Sequence, residues 1–423
     1  MSASSDRPDA AAVTCLRAPW ILPIDAPPIR DGWVTVAGGR VVALGTGRPP
    51  DGPGVEMRDL GHSALLPGLI NAHTHLELSW LWGKVPPAAS LPAWVSNLMG
   101  QRFARDGGDD RAPIRQAIID ALEAGTAAVG DVANTSASQE ALAHSRLRGV
   151  VFREVVGFNP ANPAALIAAA ARDVEAHRSP RVDAHVVPHA PYSVSPEVLH
   201  LLGARAKQQP GGLCSIHVGE SLDEIEFLHT GGGRWRDVLD ARGAWNPRWI
   251  PPQCGPVEYL DRLGLVGPAL LAVHCVQCTD AELARLAGAR ATIVTCPRSN
   301  LWVGVGSPPA SRFYASGARI AIGTDSLASA SDLNLFSELA ALHALAPEVR
   351  PRRLLESATR IGAEAIGRRD LGTITPGARA RLITVDLPLD VRDVETYLVE
   401  GVHPSQVAWA VWDAHGVRES YVS

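Results

Sequence analysis

The stretch Leu65-Leu-Pro-Gly-Leu-Ile-Asn-Ala-His73-Thr-His75-Leu-Glu77 decides how the rest of the chain reads. An apolar run with the character of a buried strand pauses at Pro67-Gly68, resumes at Leu69-Ile70 and then delivers two histidines. Side chains alternate faces along a strand, so His73 and His75 share one side and Thr74 takes the other. Two imidazoles together at a strand end are half of a metal site. A pair of satisfied polar histidines would look the same, and a His-x-His gains meaning only from its context.

Moving outward, the centre of the chain alternates between β-rich and helical stretches. Candidate strands cover 127–134, 150–158, 182–189, 213–220, 269–276, 291–296 and 319–325. Helical stretches between them cover 114–124, 139–147, 164–176, 196–206, 281–286 and 333–346. Eight strands, each followed by a helix or loop, make the pattern of a (β/α)8 barrel. A doubly wound open sheet would be the competitor, but no G-x-G-x-x-G follows an early strand. Both chain ends are short strands and turns, with Gly38-Gly39 as a hairpin signal and Val407-Ala-Trp-Ala-Val as a late strand. The expected fold is α/β. Residues 65–371 form a distorted (β/α)8 TIM-type barrel, and a small β-sandwich domain is built from residues 1–64 and 372–423.

Composition narrows the function. The chain has 423 residues, 46% hydrophobic and 20% charged, and Lys+Arg 39 against Asp+Glu 44 leaves a net charge of -5. That balance argues against nucleic acid or an anionic membrane as the partner. No apolar run reaches the roughly 20 residues that cross a bilayer. The first nine residues lack a signal pattern, so a cytoplasmic protein with a small-molecule substrate is expected, and a homodimer is compatible with the chain. The six scattered cysteines read as small buried side chains, including the pair Cys275 and Cys278.

A barrel places its active site at the C-terminal ends of its strands. Those ends carry His73 and His75, His189, His217 with Glu220, His274, and Asp325. Buried imidazoles and carboxylates are costly unless paired or bound, so such a cluster points to chemistry. His185 lies short of its strand end and reads as a hydrogen-bonded core histidine.

These pieces resemble the amidohydrolase superfamily, in its mononuclear branch of aminohydrolases and deaminases. The carriers are Pro67-Gly-Leu-Ile-Asn-Ala-His73-Thr-His75, His189-Ala-Pro-Tyr-Ser, His217-Val-Gly-Glu220, Val273-His274-Cys and Gly323-Thr-Asp325-Ser. One departure, Pro376-Gly-Ala-Arg-Ala-Arg-Leu382 where the family often has Pro-Gly-Lys-x-Ala-Asp-Leu, lies outside the barrel. The resemblance implies that His73, His75, His217 and Asp325 bind one divalent metal, with Glu220, His274 and Asp325 as the catalytic groups. A nitrogen-oxygen donor set suits Zn2+, with Fe2+ as the alternative. Relatives with two metals bridge them through a lysine on a strand. The two lysines here, Lys84 and Lys207, end no β run, which favours one metal. Such a metal acidifies its water from about 15.7 toward roughly 7. Glu220 would then shuttle the water's proton to the ring, Asp325 would orient the water and help carry protons to the ammonia, and His274 would stabilise the tetrahedral intermediate.

The long segments after His75 and after Glu220 carry Trp80, Trp82 and Trp94, then Phe227, Trp235, Trp245 and Trp249, aromatic faces that suit a flat heterocycle. By analogy with adenosine-type deaminases, Trp94, Arg153 and His189 would line the ribose or tail side. Stretches such as His75-Leu-Glu-Leu-Ser79 and Glu224-Ile-Glu-Phe-Leu228 look most like the aminodeoxyfutalosine deaminases of menaquinone synthesis. Their benzoate-tailed substrate would give Arg153 or Arg298 an anionic partner. Methylthioadenosine, adenosylhomocysteine, guanine, triazines and cyclic amides stay open as substrates, with a silent binding barrel as the remote alternative.

Overall fold

The computed structural model describes residues 13–104, 110–209 and 211–412, so the first nine residues, read above for a targeting pattern, lie outside it. Five strands open the chain: β1 (Val13–Ile21), β2 (Ile29–Ala37), β3 (Arg40–Thr46), β4 (Val55–Asp59) and β5 (Ser63–Pro67). Eight follow through the centre: β6 (Leu69–Thr74), β7 (Thr126–Ala133), β8 (Arg148–Val155), β9 (Val182–Pro188), β10 (Cys214–Val218), β11 (Leu270–His274), β12 (Thr292–Thr295) and β13 (Arg319–Ile322). Two close it: β14 (Leu382–Asp386) and β15 (Val407–Val411).

The end strands join in one hydrogen-bonded, seven-stranded sheet of order β15-β14-β5-β1-β2-β3, with β4 on β1. This sheet, built from both chain ends as expected of the small β domain, has its own core of Leu16, Val34, Leu65, Ile374 and Leu382. The break between β5 and β6 falls at Gly68, where a Cβ would come within 2.7 Å of Ala127 and 2.9 Å of Trp409. Only a residue without a side chain lets the chain pass from one sheet to the other so closely.

The central strands form two parallel four-stranded sheets, β6-β7-β8-β9 and β10-β11-β12-β13. Backbone bonds link them at both seams. His217 N–H donates to His189 O at 2.9 Å, and Thr324 and Asp325 N–H both donate to His73 O at 3.1 Å. Gly323 makes the second seam sterically feasible, since a Cβ there would lie 2.6 Å from His73 O. One apolar cluster draws Ile70, Ala128, Phe152, Val187, Leu271, Val294 and Ala321 from seven different strands. Helices alternate with the strands. Those at Pro163–Ala176 and Pro196–Gln208 start on proline after an Asn162 and a Ser195 cap. Proline is preset for that first helical position, and the cap satisfies a free N–H. No helix among the described residues is long and apolar enough to cross a membrane.

The observed strands stop earlier than expected: β10 ends at Val218 rather than Glu220, and β13 at Ile322 rather than Asp325. At the ends of β11 and β13 the backbone leaves regular geometry, with φ of 76° at His274, the last residue of β11, 53° at Cys275 and 57° at Asp325. Non-glycine residues take that conformation only where surrounding contacts hold them, commonly at functional sites. The six cysteines are free and buried.

Candidate metal and active site

Simple alternation from Ile70 and Ala72 would turn His73 away from the interior cluster they share. The β6–β7 register instead slips, pairing Asn71 with Val129 but Thr74 with Asp131, so three residues of β6 span two of β7. Such a bulge re-aims side chains. The His73 and His75 rings end 4.9 Å apart, and His217 lies 5.0 Å from His73. Two potential ligand groups, His73–His75–Asp325 and His73–His217–His274, share His73, and the atoms of each lie within 4.8 Å of one another. Together they contain all four expected metal ligands.

His73 tests whether a metal fits. It is fully buried, yet neither of its ring nitrogens has a hydrogen-bond partner. A buried imidazole left unsatisfied is expensive, and a metal ion would supply the missing partner. The surrounding groups are held in the complementary state. His217 Nδ1 lies 3.0 Å from His189 O, which fixes that nitrogen as the donor and leaves Nε2 unprotonated. Asp325 Oδ2 accepts Ser299 Oγ at 2.5 Å and Ser329 Oγ at 3.3 Å. Its Oδ1 lies 3.5 Å from His75 Nε2 and 3.8 Å from His73 Nε2. Burial lowers the pKa of His73, His75 and His217, favouring neutral rings, and pushes His274 down to about 3.

Two carboxyl groups at this site are driven apart. Burial, Asp325 and Glu224 hold Glu220 well above the usual carboxylate range. Burial also acts upward on Asp325, but the neighbouring histidines and Ser299 outweigh it and keep the group ionised. Glu220 Oε1 lies 3.5 Å from His274 Nε2, and Asn300 Nδ2 meets His274 Nδ1 at 3.0 Å. An amide N–H donating there places the ring proton on Nε2, facing Glu220. Beneath Glu220, the carboxylate of Glu224 accepts the N–H groups of Gly219 and Glu220 at 3.1 and 3.0 Å.

The site opens into a cavity of about 360 Å³ bordered by His75, Trp94, Glu154, His189, His217, Glu220, His274 and Asp325. Part of its wall comes from helices inside the two long aromatic-bearing segments: Leu91–Ala104 brings Trp94, and Arg234–Ala241 brings Trp235. Tyr192 stacks on Trp235 at 3.9 Å. Phe158, Phe227, Trp245 and Trp249 pack on one another, with Phe227 and Trp249 stacked at 4.8 Å. Trp82 is 64% exposed.

Arg153 is corrected. Its Nε pairs with Asp173 Oδ2 at 2.9 Å on the helix Pro163–Ala176, outside the cavity. Phe152 belongs to the interior cluster, so strand alternation sends Arg153 outward and Glu154 inward. Arg298 is likewise taken, by Asp332 at 2.8 Å and Glu338 at 2.7 Å. His185 is half-buried against Phe152, with ring centroids 6.2 Å apart, rather than a core residue. Glu154, Ser299 and Asn300 are site residues that the motifs did not single out. The pair Ser299-Asn300 was recoverable from its place just after the strand end at Cys296-Pro297, whereas Glu154 needed the interior position of Phe152.

The pattern of the amidohydrolase family matches residues 64–411. In sequence, the chain is 32% identical to an aminodeoxyfutalosine deaminase of Deinococcus radiodurans, over 80% of this chain and 82% of that protein. It is 29% identical to a 5-methylthioadenosine/S-adenosylhomocysteine deaminase of Moorella thermoacetica, over 92% and 90%. In structure, a zinc-bound adenosine deaminase from Xanthomonas campestris is 28% identical with a TM-score of 0.78, over 93% of this chain and 90% of that one. Helicobacter pylori aminofutalosine deaminase shares the fold at a TM-score of 0.80 and 22% identity, over 93% and 100%.

Proposed function

Since the chain belongs to the amidohydrolase family, and is therefore a hydrolase acting on C–N bonds, we propose that it deaminates an adenine-type nucleoside with the help of one divalent metal. The observation that carries this reading is the gathering of His73, His75, His217 and Asp325 at one end of a cavity with Glu220 and His274, where burial and neighbouring carboxylates raise Glu220 while the histidines and Ser299 lower Asp325. Pairs of groups pushed apart in this way divide acid and base work between them.

Hydrolytic loss of an amine needs a proton on a ring nitrogen, a water attacking the amine-bearing carbon, and a proton for the departing ammonia. Glu220 is the acid that protonates the ring nitrogen and recovers a proton from the new hydroxyl as ammonia leaves, and Glu224 fixes the backbone that presents it. Asp325, oriented through Ser299, takes the proton of the attacking water and returns it to the amine. His274, with its proton held on Nε2 by Asn300, donates to the developing tetrahedral centre. His73, His75, His217 and Asp325 would hold the metal, Zn2+ by the donor set with Fe2+ as the alternative, and when bound it supplies a Lewis acid that makes water nucleophilic near neutral pH. This assignment takes the two parallel sheets as one closed barrel, which the backbone bonds at both seams support.

Among substrates we favour aminodeoxyfutalosine, converted to futalosine and ammonia in menaquinone synthesis; the Deinococcus relative supports that choice. The Moorella relative supports methylthioadenosine or adenosylhomocysteine as the second reading. An ultraviolet and ammonia-release assay on metal-quantified protein tests both. Ammonia from adenine nucleosides is the expected result. Its absence with metal bound overturns the deaminase reading and turns attention to triazines and cyclic amides.

A further inference from the structure

Resting on the reading of the site as an adenine-nucleoside deaminase, we propose that Arg242 determines specificity by binding a carboxylate at the far end of the substrate. Away from the reacting groups the cavity is walled by apolar side chains, including Trp94, Leu98, Phe158, Trp235 and Leu239. Such a wall accepts many tails and discriminates weakly among them, because an added methylene changes binding little. Selection must therefore come from the few charges that border it.

Besides Glu220 and Asp325, three charged side chains do so: Arg102, Glu154 and Arg242. Glu154 is committed, accepting Asn134 Nδ2 at 2.8 Å and lying 3.5 Å from His217 Nδ1. Arg102 is committed too, 3.8 Å from the Glu77 carboxylate and 3.4 Å from Asn134 Oδ1. The arginines that sequence pattern nominates, Arg153 and Arg298, have their charges matched by Asp173, Asp332 and Glu338. Arg242 differs from all of these. It follows the helix Arg234–Ala241, whose Val238 and Leu239 also border the cavity, and its side chain forms no ion pair among the described residues.

A guanidinium presents parallel N–H donors that match both oxygens of a carboxylate. Arg242 is exposed, so without ligand its charge is hydrated and carries no burial cost. The complementary ligand is an adenine nucleoside whose sugar carries a tail ending in a carboxylate, such as a benzoate or an amino acid. A neutral thioether tail would fill the apolar wall and leave this cation unused.

The test uses the metal-loaded full chain, with Arg242→Met and Arg242→Lys, on aminodeoxyfutalosine, adenosylhomocysteine and methylthioadenosine. The expected result is that Arg242→Met lowers the ratio of kcat/KM for a carboxylate-bearing nucleoside over methylthioadenosine by about tenfold or more. The change should lie in KM, with part of the preference restored by Arg242→Lys. Equal losses on all three substrates, or an unaltered ratio, overturn the proposal while leaving the deaminase reading in place. A wild-type protein that releases no ammonia from any adenine nucleoside overturns both. An unchanged Tm in each variant excludes misfolding as the cause.

Discussion

The two ends of the cavity are built on different plans. At the reacting end most polar side chains are held by another part of the protein: Asp325 by Ser299 and Ser329, His274 by Asn300, His217 by the carbonyl of His189. At the other end the walls are hydrocarbon and aromatic, and Arg242 stands without an ion pair among the described residues. The first plan fixes geometry before a ligand arrives, as a reaction requires. The second leaves recognition to whatever tail the substrate brings. Chemistry and selectivity can therefore be perturbed separately, and four substitutions test that separation.

The largest effect belongs to His217→Ala, which should strip most of the metal and lower turnover toward background. Full occupancy, measured by elemental analysis, would remove His217 from the ligand set. Glu220→Gln should keep the metal and lose about 10²- to 10⁴-fold in kcat, the usual yield of a positioned acid. A near wild-type rate would take Glu220 out of the mechanism. Asn300→Ala should cost about tenfold in kcat with little change in KM, since it acts through His274. A loss confined to KM would place Asn300 among binding residues instead. Arg153→Met should barely register. Its pair with Asp173 is 19% and 30% exposed by side chain, so unfolding experiments should show ~1 kcal/mol or less. Unaltered selectivity between tailed and tail-free nucleosides is also expected, and a selective loss on the tailed ones would put Arg153 back at the pocket.

The reacting end was largely legible in the sequence because its residue types are rare and carry their own chemistry. His73, His75, His217, Glu220, His274 and Asp325 stand at or just beyond strand ends in a fixed order, and the fold gathers them. What stayed hidden was orientation. Val-Val-Phe-Arg153-Glu154-Val-Val places two charges side by side, and alternation sends one inward without saying which. The interior position of Phe152 decides for Glu154, and that needs the neighbouring strands. The bulge that turns His73 inward is equally silent in sequence, since it depends on pairing between β6 and β7. Arg242 is further removed still. Its meaning comes from the carboxylates that other arginines have already claimed.

The seating of β5 between β1 and β14 has a consequence for the birth of the enzyme on the ribosome. β5 leads through Gly68 directly into β6, and its register with β14 runs from Ser63–Asp386 to Pro67–Leu382. The strand that carries His73 is thus braced by a segment translated more than 300 residues later. A nascent chain that already holds every reacting group still lacks the clasp that steadies them. A chain ending at Arg381 should therefore be inactive and protease-sensitive although it retains the whole site, and full activity from it would show that the late strand is dispensable.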